Sequence, residues 1–221
     1  MPKAEGSVLS FGFDVEIWGD YACFTRPEPG IERVSYDIIT PGAARGILEA
    51  VLWRPAIGYV IDRIAVCSPI RFSAVSRNEF DFGDDPPDGS DRRVRRTTES
   101  LRNVRYVVSA HFDMTDKAGP DDNSGKFMDM IRRRLEKGQY FHAPYLGIRE
   151  FPAKIRLINE NEKQPQPIPE TRTLGRMLYD MDYVKESDED GAESSKERSP
   201  KFFNAVMRDG VIDLRNVELT P

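Results

Sequence analysis

The order in which two hydrophobic periodicities follow one another limits the fold of this chain more than any single motif does. Between residues 8 and 18, Val8, Ser10-Phe11, Phe13, Val15 and Ile17 alternate with the period of two that marks a half-buried strand. Thr40 and Pro41 then open a helix, with Thr40 as N-cap and Pro41 at the first helical position, where its missing N–H costs nothing. Ala44, Ile47, Leu48, Val51 and Leu52 form its apolar stripe, and Trp53-Arg54-Pro55 ends it, because the residue before a proline resists the helical region. A second strand is predicted over 58–73, through Val60, Ile61, Ile64, Val66 and Ile70. A third over 104–115 places Val104, Tyr106, Val108, Ala110, Phe112 and Met114 on one face. A second helix follows, and a fourth strand over 145–158 uses Ile148, Phe151, Ile155 and Leu157. Strand, helix, strand, strand, helix, strand is the split arrangement of an α+β, ferredoxin-like fold, an antiparallel sheet carrying two helices on one face.

Two segments do not fit that frame. Residues 76–103 are rich in Asp, Gly, Pro and Arg without a core pattern, and read as a hairpin insertion. Pro165, Pro167 and Pro169 make 160–171 a linker that closes a first unit at about residue 159. Beyond it, strand or short-helix pieces over 174–183 and 202–214 are too small to stand alone and are expected to pack back on the first unit. Between them, 186–199 is an acidic, Ser-rich loop.

The second helix carries the chemistry. In Asp121-Asp122-Asn123-Ser124-Gly125-Lys126-Phe127, a polar loop delivers one lysine to a helix mouth that Asn123 or Ser124 can cap. Phe127, Met130, Ile131 and Leu135 give the buried stripe, and Gly138 stops the helix. Free N–H groups and the helix dipole favour an anion at such a mouth, and Lys126 adds a full charge. The loop does not match a nucleotide-binding phosphate loop, since no Gly-Lys-Ser/Thr occurs there. Metal chemistry is poorly supported: His111 and His142 are the only histidines, and Cys23 and Cys67 the only cysteines. No apolar run approaches the roughly 20 residues of a membrane span, and the N-terminus lacks a signal-peptide layout, so a cytoplasmic protein without membrane contact is expected.

The formal net charge is −5, yet acids concentrate at 81–91 and 186–197, leaving basic runs elsewhere. Arg92, Arg93, Arg95, Arg96, Arg102 and Arg105 form one, and Arg132, Arg133, Arg134 and Lys137 another. That distribution suits a polyanion, and an α+β sheet with arginine-rich edges suits single-stranded or hairpin RNA. Metal-free RNA cleavage needs a base for the 2′-hydroxyl, an acid for the leaving 5′ oxygen and a cation for the phosphorane. Lys126 can be that cation.

Several ordered blocks extend this reading. They are Trp18-Gly19-Asp20-Tyr21-Ala22-Cys23-Phe24, Glu32-Arg33-Val34-Ser35-Tyr36-Asp37, Ala43-Ala44-Arg45-Gly46-Ile47-Leu48-Glu49-Ala50, Asn103-Val104-Arg105-Tyr106, Asp122-Asn123-Ser124-Gly125-Lys126 and Tyr145-Leu146-Gly147-Ile148-Arg149-Glu150-Phe151. Together they resemble the CRISPR-associated Cas-five family of type I-C (Dvulg), d subtype. The resemblance implies an RNA-recognition-type ferredoxin-like domain with a hairpin insertion and a small β-rich C-terminal part. It also implies an endoribonuclease that needs no cofactor. Such a protein cuts CRISPR repeat RNA below its stem-loop and leaves a cyclic phosphate on the upstream product. It then stays on the 5′ handle among the other subunits of the type I-C interference complex. The family lysine matches Lys126, whereas the two other proton-handling positions are Leu52 and Phe127 here. Tyr140, His142, Tyr21 and Tyr36 are the candidate substitutes, and Arg45, Arg92, Arg93, Arg95, Arg96 and Arg149 the candidate RNA contacts. The alternative reading is a binding subunit that holds the crRNA without cutting it. Duplex DNA is a further partner compatible with the same basic surface.

Overall fold

A computed structural model describes residues 12–28, 32–80, 93–159, 161–184 and 197–221. The elements are β1 (Phe13–Ala22), β2 (Arg33–Val34), α1 (Pro41–Val51), β3 (Ile57–Val66), β4 (Phe72–Phe80), β5 (Arg93–Met114), α2 (Ser124–Glu136), β6 (Lys154–Leu157), β7 (Arg172–Val184), β8 (Glu197–Met207) and β9 (Val211–Asp213). The main sheet runs β6-β1-β5-β3-β9 with antiparallel neighbours, while β2 and β4 pair with the far end of β5. Strand, helix, strand, strand, helix, strand is present as β1, α1, β3, β5, α2, β6. Val15 and Ile17 of β1, Val108, Ala110 and Phe112 of β5, and Phe127 and Ile131 of α2 share one buried core. No helix among the described residues is long and apolar enough to cross a membrane.

Three strand expectations need correction. The second strand does not run through 58–73: β3 stops at Val66, and Pro69 lies in the non-strand segment before β4 begins at Phe72. The third begins at Arg93 rather than 104, because β5 is one strand of 22 residues whose first half pairs with β4 in a hairpin arm. Its second half lies between β1 and β3. Asn103 marks the passage from arm to body at φ 50°, a left-handed conformation that asparagine tolerates better than most residues. The fourth strand is reduced to β6, since 145–152 forms a folded loop closed by the Tyr145–Pro152 bridge. The β4–β5 arm overlaps the segment expected as a hairpin insertion. Arg92 lies outside the described residues.

The C-terminal pieces are all β. The β7–β8 pair stacks on α1, and β9 joins the main sheet beside β3, so this part shares the main core through Met177, Phe203, Met207 and Ile212. The Pro-rich segment reaches across the sheet face opposite the helices: Gln164 donates to Asp14 at 2.9 Å, and the Ile168 N–H donates to the Val66 carbonyl at 2.8 Å. On the same face Glu16 is buried between Arg105 at 2.8 Å and Arg156 at 2.6 Å. A buried carboxylate requires such partners. Most of the acidic loop at 186–199 lies outside the described residues.

Candidate nucleic-acid interface

The Lys126 loop folds as its residues dictate. Asn123 is the N-cap, its side-chain oxygen accepting the Lys126 N–H at 2.9 Å. Lys126 is exposed, and its ammonium donates to Asp122 at 2.9 Å, four residues back. Asp122 also accepts the Gly119 N–H at 3.0 Å. The Lys126 hydrogen bond, with the smaller help of Gly119, holds the Asp122 carboxyl below the usual aspartate range. Phe127 is 2 % exposed and meets Phe112 edge-to-face at 6.5 Å, with the Lys126 ammonium 5.7 Å from its ring centroid. Leu52 is 0 % exposed. Both apolar replacements therefore sit in the core.

At its other end α2 closes on a left-handed glycine. Gly138 has φ 60°, its N–H donates to the Leu135 carbonyl at 3.3 Å, and the Gln139 N–H donates to Arg134 at 2.8 Å. This end is locked to the C-terminus of α1. Arg134 donates to the Val51 carbonyl at 2.5 Å, and the N–H groups of Phe141 and His142 donate to Ala50 at 2.7 and 3.3 Å. The last carbonyls of a helix have no partner inside it, so these donors complete α1. Tyr140 and His142 thus stand past the opposite end of α2 from Lys126. At the helical rise, Gly138 is about 18 Å from Lys126.

Between α1 and the segment after Gly138 lies a cleft of about 600 Å³. Gly42, Ala43, Gly46 and Ala50 of α1 form its floor, and Trp53, Phe141, His142 and Tyr145 its walls. Trp53 and Phe141 are 52 % and 67 % exposed. The loop that carries Tyr145 is held by Gly147, at φ 85°, where a Cβ would lie 1.9 Å from the Cys23 carbonyl oxygen. Only glycine permits that approach.

The remaining candidate residues divide. Tyr21 is 38 % exposed, with its ring on Phe151 at 5.7 Å. Tyr36 is fully buried; its hydroxyl accepts the Leu178 N–H at 3.2 Å, and burial raises its pKa. It is placed as a core residue, out of reach of a bound RNA. Arg45 tethers α1 to β7, donating to both Asp180 oxygens at 2.7 and 2.9 Å and to Glu49 at 2.5 Å. Arg95 is exposed and Arg96 half-buried, on opposite faces of the arm because strand side chains alternate. Arg93 begins β5, and Arg149 is exposed on the loop after Gly147. The exposed pair Trp53 and Phe141 is absent from the sequence expectations. The Tyr140-Phe141-His142 run, aromatic and without a periodic place, is the signal that pointed there.

Comparison with known proteins now adds kinship. The family model Cas_Cas5d, described as CRISPR-associated protein (Cas_Cas5), matches residues 13–215. The chain is 45 % identical to the CRISPR pre-crRNA endoribonuclease Cas5d of Mannheimia succiniciproducens, covering 90 % of this chain and 93 % of the relative. It is 38 % identical to the protein of the same name from Thermus thermophilus, covering 90 % of each. A solved CRISPR-associated protein shares the fold at a TM-score of 0.72 with 20 % identity, over 96 % of this chain and 97 % of that one. The functionally uncharacterized SMU1763c of Streptococcus mutans shares it at 0.68 with 22 % identity, over 94 % and 93 %. With a family match spanning both the arm-bearing sheet and the C-terminal strands, this chain belongs to the Cas5d family of CRISPR-associated proteins.

Proposed function

We propose that this chain is an endoribonuclease that cuts CRISPR repeat RNA below its stem-loop and remains on the 5′ handle as a subunit of the type I-C interference complex. The observation that carries this is its identity, over nine-tenths of its length, to two relatives named as pre-crRNA endoribonucleases. The strand order β6-β1-β5-β3 supports reading the body as ferredoxin-like, with the β4–β5 arm as its insertion and residues 160–221 as a β-rich addition. The role belongs in the cytoplasm, and the basic surface leaves room for duplex DNA beside the RNA.

In this reading the 2′-hydroxyl oxygen attacks the adjacent phosphorus and the bond to the 5′ oxygen breaks, which needs no metal. A general base takes the hydroxyl proton and a general acid protonates the leaving oxygen. Lys126, at the helix mouth, stabilises the charge that builds on the phosphorane. A phosphate takes the place of the Asp122 carboxylate on its ammonium. Arg95 and Arg149, both exposed, are the arginines best disposed to hold RNA, whereas Arg45 is committed to Asp180 and Glu49.

A second reading, a subunit that binds crRNA without cutting it, is favoured by the burial of Leu52 and Phe127 and by the distance from Lys126 to Tyr140 and His142. One experiment separates the two. Wild type and Lys126→Ala are incubated with the cognate repeat RNA in chelator. A cut below the stem that is lost in Lys126→Ala supports the nuclease and its lysine. Binding without cutting by the wild type would leave the second reading. A cut that survives in the variant removes Lys126 as the catalyst and directs attention to His142→Ala and Tyr140→Phe.

A further inference from the structure

We propose that the cleft between α1 and residues 139–147 is a seat for one unpaired nucleobase of single-stranded RNA, held by stacking on Phe141 and Trp53. The proposal rests on the RNA-binding reading above. Two features of the walls select this occupant. Large apolar side chains are ordinarily buried, yet here two aromatic ones stand more than half exposed on the same cleft. Ile47 is the single large aliphatic side chain on the walls, so the cleft offers flat ring surfaces rather than the branched packing of a protein-binding groove.

The floor and the charges agree. Gly46 would place a Cβ with nothing within 4 Å, so the helix backbone itself is accessible from the cleft. A volume of about 600 Å³ lies within the range of clefts that enclose small ligands. Glu49 is the one carboxylate on the walls, and Arg45 neutralises it. Arg54 follows Trp53, and Arg149 stands two residues beyond Gly147. Neither has a carboxylate partner among the described residues, which leaves both for the phosphates on either side of a seated base. Base–aromatic stacking tolerates any base, since each has a π face. The seat therefore grips unpaired RNA beside a folded stem without reading its sequence.

The test uses the full chain and a short single-stranded RNA with one 2-aminopurine, whose fluorescence falls on stacking. Wild type is expected to quench it. Phe141→Ala and Trp53→Ala are expected to weaken affinity about five- to hundred-fold, with the salt dependence and the unfolding temperature unchanged. Gly46→Leu fills the cleft from a position with open space above it, and is expected to weaken binding as strongly while remaining folded. An abasic site in place of the 2-aminopurine should erase the difference between wild type and the two alanine variants. Equal affinity in all four proteins overturns the proposal. Binding with quenching but no cleavage keeps the seat and removes the nuclease reading. A wild type that binds no RNA removes both.

Discussion

The two ends of α2 meet the same problem, unfinished helix groups at a surface, with opposite chemistry. At the first end the solution is polar and self-contained: Asn123 caps the helix, and Lys126 is matched by Asp122. At the second end Arg134 and the N–H groups of Phe141 and His142 are spent on α1, and the exposed aromatic ring of Phe141 stands beyond the exposed basic residues Arg133 and Lys137. The first end offers one lysine already matched by an aspartate; the second offers aromatic surface beside basic side chains. RNA presents both a charged backbone and flat bases, so a chain that grips it can use the ends for different parts of the ligand.

The largest expected effect tests the division between the lysine and its buried neighbour. Phe127→Ala should cost about 3–5 kcal/mol of stability, read as a lower urea midpoint, because it empties an aromatic core position. Phe127→His places a polar ring in that core. It should also destabilise and should not speed cleavage, and a faster cut would break the comparison.

Lys126→Ala, by contrast, removes an exposed pair and should leave the unfolding midpoint close to that of the wild type. If Lys126 stabilises the phosphorane, the single-turnover cleavage rate should fall roughly 10²–10³-fold, the usual cost of losing one such group. Arg45→Ala should reverse that pattern. Losing the bidentate pair to Asp180 should cost about 1.5–3 kcal/mol in a denaturant titration while the single-turnover cleavage rate at saturating RNA holds.

Asn123→Ala is smaller still, about 1 kcal/mol, as for other N-caps. The least effect belongs to Asp122. Its carboxyl is held low in the folded protein, so its contribution is present above the unfolded value near ~4 and is lost as pH falls through the lower folded value. A carboxyl NMR titration should show the depressed midpoint, and Lys126→Ala should move it back up.

Much of the scaffold was legible because its patterns are local. Thr40 and Pro41 begin α1 as their types require, and the stripe through Leu52 is buried as its spacing implies. The burial of Phe127 follows from its place beside Ile131 and Leu135 on the same helical face. What the pattern could not show depends on partners far along the chain. The outer part of β5 looks irregular in sequence because there it pairs with β4 alone, so polar residues such as Thr97 and Ser76 can face one another. The 145–152 loop alternates like a strand, but Gly147 is pinned against Cys23 and breaks the extension. The exposure of Trp53 had no local signature either. A helix-ending tryptophan reads the same whether a neighbour covers it or not.

The long strand β5 also restricts how this protein can vary in length. The 22 residues of β5 belong to both arm and body, with the left-handed Asn103 between the two halves, so the arm half keeps its own alternation of faces. A loss of one residue between Arg95 and Ser100 would turn every side chain beyond it in the arm to the opposite face, exchanging the sides of Arg95 and Arg96. A loss of two would keep the faces and merely shorten the reach. Relatives with longer or shorter arms are therefore expected to differ by even steps within the paired strands, with odd steps confined to the tip.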